Sequence, residues 1–132
     1  MFRSIIRPRV SETDGAGHIN NTTVPVWFEA GREGIFKIFN PNLSFTAWRS
    51  VIVSLSVDYI HQMYLGKDVE VRTWIQRIGN KSFVIYEEIH QGGILCAKGT
   101  ATYVNFNPEK QISEPIPESI RNELEKHLFE ST

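Results

Sequence analysis

Val10-Ser11-Glu12-Thr13-Asp14-Gly15-Ala16-Gly17-His18-Ile19-Asn20-Asn21-Thr22-Thr23-Val24-Pro25-Val26-Trp27-Phe28-Glu29-Ala30-Gly31-Arg32 decides the fold. In its second half Val24, Trp27, Phe28 and Gly31, continued by Ile35, Ile38 and Phe39, recur at steps of three and four, the period of a helix with one broad buried face. The spacing predicts a helix over 23–39, starting at Thr22 or Thr23. Pro25 falls in the first turn, where its missing N–H costs nothing, and Asn40-Pro41-Asn42 ends the helix. Gly31 and Gly34 each weaken such a helix by about 1 kcal/mol relative to Ala, so their expected role is to let a sheet approach closely. Ahead of the helix lies a polar loop over 11–22 that holds Asp14 and His18 around Gly15 and Gly17. A strand over 2–10, with Pro8 near its end, is expected to feed it.

Beyond the helix, a connection over 43–50 carries Phe45 and Trp48. Residues 51–61 then alternate, with Val51, Val53, Leu55, Val57 and Tyr59 on one face and Ser54, Ser56 and Asp58 on the other, the pattern of a half-buried strand. Three long strands over 68–78, 81–91 and 94–106 follow, broken at Gly79-Asn80 and Gly92-Gly93, both two-residue hairpin signals that make the order antiparallel. These turns predict a register in which Ile78 opposes Lys81, Arg72 opposes Glu87, Gln91 opposes Ile94 and Glu87 opposes Lys98. Glu87 then sits between two cations on the outward face. Val71, Ile75, Val84, Tyr86, Ala97, Gly99 and Ala101 make the face expected to wrap the helix. A short helix over 115–129, with Pro117 and Glu118 in its first turn, an Ile120, Leu124, Leu128 stripe, and Lys126 and His127 in its last turn, is expected to dock on the surface.

In that register the outward face also carries Trp74, Phe83, Ile85 and Ile89, with Trp74 opposite Ile85 and Gln76 opposite Phe83. A contiguous apolar patch of this kind is unusual on a monomer, and long strands leave an edge that needs a partner. The expectation is a dimer built by edge pairing, with two dimers meeting through Trp74, Phe83 and Ile85 as a tetramer.

At 132 residues the chain reads as one domain over 1–132 with room for a real core. Its 41% hydrophobic and 22% charged residues are those of a water-soluble globular protein, and a net charge of -1 gives no reason to expect nucleic acid or an anionic membrane as partner. Cys96 is alone, which excludes an internal disulfide and points to a reducing, cytoplasmic setting; its place in a strand makes it a small core residue. Met1 to Arg7 has only two consecutive apolar residues, so neither a signal peptide nor a membrane span is expected there.

The chemistry-bearing residues lie in the opening stretch. Asp14 followed by Gly15 is an ordinary turn pair. It is also a carboxylate a few residues from a helix start, where exposed N–H groups and the positive end of the dipole can hold an anion or polarise a carbonyl. Such a start places a base or nucleophile beside an oxyanion site within Asn21–Val24, with Thr22 between them. Asn20 and Asn21 serve as caps or orient the loop or a water. His18 fixes the loop by hydrogen bonding or acts as a general acid. Trp27, Phe45, Trp48 and Tyr59 are the aromatic side chains nearest a pocket, or plain core. His61, His90 and His127 show no ligand spacing and no Cys/His cluster exists, so neither a metal nor a cofactor is expected.

The segment Val10–Asn21 followed by Phe28-Glu29-Ala30-Gly31-Arg32 resembles the signature of the hotdog-fold acyl-CoA thioesterases of the 4-hydroxybenzoyl-CoA thioesterase type. That signature reads aromatic-x-Asp-x-Asp-x-x-Gly-His-hydrophobic-Asn-Asn, then Phe-Glu-x-x-Arg on a helix. This chain has Glu12 for the first acid, Val10 for the aromatic, and Val24 for a Tyr common on the first helical turn. The resemblance implies an α+β hotdog fold, a long antiparallel sheet round one central helix with a short C-terminal helix. It also implies hydrolysis of an acyl-CoA, with Asp14 as general base or nucleophile and a helix-start N–H on the carbonyl. By the same resemblance Arg77, Lys81 and Ser82, at the Gly79-Asn80 turn, bind the phosphates of CoA. Glu29 and Arg32 pair or order the loop, and the site lies between paired subunits. Other readings on the same fold are a thioesterase for acyl groups on acyl carrier protein, a hydratase or dehydratase, whose helix His–carboxylate pair is absent, and a module that binds acyl-CoA without turnover.

Overall fold

The structure, a computed structural model, describes residues 1–130. Strand β1 (Phe2–Ile6) leads through a 3-10 turn at Val10–Glu12 into the glycine-rich loop. The helices α1 (Thr23–Gly31) and α2 (Glu33–Phe39) follow, then β2 (Ser50–Tyr59), β3 (Val69–Ile78), β4 (Ser82–Gln91), β5 (Ile94–Asn107), the short β6 (Ile112–Ser113) and α3 (Glu118–Glu125). The main sheet runs β1-β3-β4-β5-β2, antiparallel throughout, with β6 on β5. It curls round α1 and α2, which is the α+β hotdog architecture. The first strand stops at Ile6 and not near Val10. Pro8 has no N–H for a ladder, and the Arg9 N–H turns to the Glu12 carboxylate at 2.7 Å, closing the 3-10 turn.

The long helix is broken at Arg32. Its N–H reaches back three residues to Glu29 O at 3.0 Å, while the Ile35 and Phe36 N–H groups return to Arg32 O. The Arg32 side chain drops into the core, where Nε donates to Glu87 Oε1 and Nη1 to the Tyr103 hydroxyl, both at 2.9 Å. The expected Glu29–Arg32 pair is therefore not formed, and Glu29 is exposed. On the N-terminal side Val24, Trp27 and Phe28 pack on Val69, Val71, Ile89 and Ala97. On the other side Ile35 and Phe36 pack on Ile75, Phe83, Ile85, Ala101 and Leu124. Gly31 does what its sequence position suggests: a Cβ there would lie 2.6 Å from Val71 Cγ1. Cys96 is buried in the first of these clusters.

The register corrects the sequence reading at β4. Gln91 opposes Ile94 as expected, but a bulge at Cys96 then shifts the ladder, so Glu88 and not Glu87 faces Lys98. Across the other edge the turn is longer than two residues. Ile78 opposes Phe83, Gly79 N–H donates to Ser82 O, and a bulge at Gln76 sets Glu88 against Arg72 and Thr73 against Glu87. One-residue slips on both sides invert the strand. Phe83, Ile85, Glu87 and Ile89 face the helix and are fully buried, while Val84 and Tyr86 face outward. The surface on which the tetramer expectation rested does not exist. Trp74 does face outward, but it stacks on Tyr86 with the Phe129 ring against both.

Two further expectations change. β2 is not half-buried: as the edge strand it leaves Val51, Val53, Leu55 and Tyr59 exposed. The C-terminal helix is shorter than 115–129. Leu124 is buried and Ile120 half-buried, but Leu128 lies past the helix in a bridge beside Ile75, with Lys126 and His127 also beyond the last turn.

Candidate active site

The loop before α1 is built from both ends. At its entry Glu12 is buried and accepts hydrogen bonds from the Arg9 backbone and side chain and from Trp27 Nε1 at 2.8 Å. Burial pushes the Glu12 carboxyl up, but the bonds from Arg9 and Trp27 and the Arg9 charge outweigh it and hold the group below its ordinary value. Glu12 O also accepts the Asn20 N–H at 2.8 Å, so the two ends of the loop are tied at one residue.

Between them Asp14 N–H donates to His18 O at 2.9 Å, and Asp14 Oδ1 accepts the Ala16 N–H at 2.9 Å. This is a tight turn whose Gly15 and Gly17 take φ of 91° and 83°, a region closed to most side chains. The other carboxylate oxygen, Oδ2, lies 3.7 Å from His18 Nδ1. The Asp14 side chain is 42% exposed, open to a ligand from outside.

At the helix start the N–H groups are distributed unevenly. Asn20 Oδ1 accepts from Thr22 N–H and the Thr22 hydroxyl, both at 3.0 Å, and Asn20 O accepts from Thr23 N–H. Pro25 has none. Among the described residues this leaves Asn21 and Val24 with N–H groups that have no protein partner at this end. Tyr59, from the end of β2, donates its hydroxyl to Asn21 O at 2.7 Å and fixes the peptide beside them.

These groups line one cavity of 460 Å³. Its wall is Asp14, Ile19, Asn20, Asn21 and Val24 on one side and Tyr59 with residues 60–63 on the other. The structure thus brings together Asp14, Asn20, Asn21, Val24 and Tyr59. Thr22 does not line the cavity; it is exposed, with its N–H committed to Asn20. His18 sits behind Asp14, its ring edge-on to Tyr64 at 5.2 Å, and does not line the cavity.

Trp48 is elsewhere. It packs on Phe36 at 5.1 Å and lines a separate groove of 590 Å³ between the helices and β2, with Val26, Ala30, Ile52 and Tyr103. Phe45 is 94% exposed, and Trp27 is core. Arg77, Lys81 and Ser82 stand at the β3–β4 turn, at the other end of the sheet, about 30 Å away by the length of β4. The sequence reading missed Ile19, Ile60, His61, Gln62 and Met63. The polar pair His61-Gln62 just past the alternation of β2 is the one local sign that the chain turns there toward a wall. Among the described residues no three His, Cys, Asp or Glu side chains are placed to share a metal ion, and no helix is long and apolar enough to cross a membrane.

A match to the thioesterase-like superfamily spans residues 8–124, which includes the Asp14 loop, both central helices and the whole main sheet after β1. In structure the chain is similar to a predicted thioesterase from Bacillus stearothermophilus, with 61% identity, TM-score 0.96, and 99% of this chain and 98% of that one covered. It is also similar to a Thermus thermophilus thioesterase complexed with coenzyme A and Zn, at 25% identity and TM-score 0.85, covering 95% and 92%. Among curated proteins it is 28% identical to the uncharacterized Bacillus subtilis protein YsmA over 109 residues, 82% of this chain and 74% of that protein. A carboxylate loop closed on a helix start, inside a curled antiparallel sheet and matched along nearly its full length, places this chain in the thioesterase-like superfamily.

Proposed function

We propose that the protein hydrolyses acyl-CoA thioesters to CoA and a carboxylic acid in the cavity beside Asp14. The observation that carries this reading is the meeting, on one cavity, of an open carboxylate and two unpartnered N–H groups at a helix start. The thioester carbonyl oxygen accepts from the Val24 or Asn21 N–H. These donors and the positive end of α1 stabilise the charge that develops on that oxygen as the carbonyl carbon is attacked. Asp14 acts through Oδ2, the oxygen not held by Ala16. Either it attacks the carbonyl carbon, expelling the CoA thiolate and leaving an anhydride that water cleaves, or it takes a proton from the water that attacks. Asn21 lines the cavity and orients water, Asn20 shapes the helix start, and His18 holds the turn from behind. The Thermus relative complexed with coenzyme A supports CoA as the carrier.

The reading includes a second copy of the chain. β2 has an unpaired edge, and antiparallel pairing with its copy sets the Tyr59 end of one β2 beside the Ser50 end of the other. The β3–β4 turn lies at that Ser50 end, because Ser82 and Ser50 flank Val104 and Asn105 of β5. Arg77, Lys81 and Ser82, remote from Asp14 within one protomer, thereby come to the same end as the partner's cavity, where they meet the phosphates of CoA.

A panel of acyl-CoAs with thiol detection tests the activity, and Asp14→Asn tests the residue. The variant keeps volume and loses charge, so kcat should fall on the order of 10²-fold or more with the melting temperature unchanged. Asp14→Glu should fail as well, because one methylene displaces the carboxylate by about 1 Å. Near wild-type turnover by Asp14→Asn overturns the role of Asp14; a wild-type protein that cleaves no thioester overturns the activity.

A further inference from the structure

We propose that Gln91, the last residue of β4, is a positioning residue for the Asp14 loop, an inference that rests on the reading of Asp14 as the reacting carboxylate. Gln91 is 6% exposed, and a buried amide must place both its donors and its acceptor. Its side chain bonds outside the sheet, to the connection ahead of β3. Oε1 accepts the Tyr64 N–H at 2.9 Å, and Nε2 donates to Tyr64 O at 2.8 Å and to Lys67 O at 2.9 Å. Three hydrogen bonds from one side chain thus clamp the connection between β2 and β3, a segment whose residues 64–68 are otherwise exposed.

That connection carries the Asp14 loop. Ile19 N–H donates to Met63 O at 2.8 Å, Leu65 N–H donates to Gly17 O at 3.0 Å, and His18 bridges Tyr64 between them. Residues 17–19 in turn close the turn at Asp14, through Asp14 N–H on His18 O and the Thr13–Ile19 bridge. The path from Gln91 to the carboxylate is therefore a series of direct contacts: amide, Tyr64 backbone, Gly17-His18-Ile19 backbone, Asp14. A loop with two left-handed glycines has little stiffness of its own, and its further ties, the bond at Glu12 and the Tyr59 hydroxyl on Asn21 O, lie at its two ends and not at the Asp14 turn. The clamp supplies the missing order from β4, a central strand paired on both sides.

Two variants test this. Gln91→Met keeps length and volume but removes all three bonds. Amide exchange at Asp14, Ile19 and Leu65 should then quicken on the order of tenfold or more, with protection at Thr73, Glu87 and Ala101 in the sheet unchanged. On the best thioester kcat should drop on the order of tenfold or more with KM within about twofold, the sign of a displaced reacting group. Gln91→Glu should behave like Gln91→Met at pH 8, where a carboxylate opposes two carbonyls. Relative to wild type it should recover as pH falls toward 5, where the protonated acid accepts from Tyr64 and donates to one carbonyl. Unchanged exchange at the three loop amides in both variants overturns the proposal, as does equal loss of protection across β3–β5, which would make Gln91 a general fold residue. A wild-type kcat in spite of a loosened loop overturns the positioning role. The exchange measurement needs no substrate, so it decides the clamp even if the protein cleaves no thioester.

Discussion

Thr73 and Glu87 oppose each other on the core face, and each has an oxygen with no partner among the described residues: Thr73 Oγ1 and Glu87 Oε2. Both residues are fully buried. An unpaired buried hydroxyl is already desolvated without compensation, so removing it costs nothing. Thr73→Val, which keeps the shape, should leave unfolding free energy unchanged or raise it by up to about 1 kcal/mol in a denaturant titration. A loss of more than that would show that the hydroxyl has a partner. Glu87→Gln at the opposing position should act in the other direction. Burial, against the pull of Arg32, pushes the Glu87 carboxyl up to about 7, so at pH 8 the substitution removes the charge that compensates Arg32, itself 2% exposed, and breaking a buried pair from one side costs about 3–5 kcal/mol. The two substitutions are adjacent and similar in size, and the same titration separates a polar group that is matched from one that is not.

At the scale of elements, the 3-10 turn at Val10–Glu12 is held by a carboxylate, and it titrates accordingly. Despite burial, the bonds from Arg9 and Trp27 hold the Glu12 carboxyl of the folded chain below its ordinary value. Its contribution to stability is therefore complete above that value and is lost as pH falls through the lower, folded one. Glu12→Gln should destabilise the protein by about 1–3 kcal/mol at pH 7, with the gap to wild type narrowing as melting temperatures are followed down to pH 3. Parallel curves would mean that the charge of Glu12 is not what holds the turn. Elements also mark how far the sequence could be read. The Asp14 loop, the helix start and the Gly92-Gly93 turn depend on neighbours within a few residues, so their outlines were visible from spacing. The orientation of β4 was not, because it hangs on bulges at Gln76 and Cys96 that no residue pattern announces. Arg32 reads as a helix-surface partner for Glu29 until the fold brings Glu87, 55 positions on, beneath it. The cavity was half legible: Asp14, Asn20, Asn21 and Val24 come from one stretch, while residues 60–63 reach it through long-range bonds, of Ile60 and His61 N–H to Cys96 O and of 63–65 with 17–19.

For the whole molecule, β2 poses the remaining question, because its sequence is that of a covered strand and its surroundings are not. Pairing with β5 turns Ile52, Leu55, Val57 and Tyr59 to the same side as the helices, opposite Tyr103, Ala101, Gly99 and Ala97. Yet Leu55 is 46% exposed, and Val26 of α1, which lines the groove with Ile52, is 62% exposed. An apolar row beside an unpaired strand edge is a surface that a second copy covers with its own, by a two-fold axis that sets like residues near one another. Leu55→Arg then places a cation near its own copy across the axis, in a contact too dry to solvate it. Light scattering should show a dimer for wild type and a monomer for the variant, with the circular dichroism of the two alike. If Arg77, Lys81 and Ser82 of one protomer hold the CoA of the other, the monomer should also show a raised KM for acyl-CoA. A wild-type monomer overturns the edge-paired dimer, and a Leu55→Arg protein that stays dimeric moves the interface off β2. A monomeric variant with an unchanged KM returns the phosphate contacts to the protomer that carries Asp14.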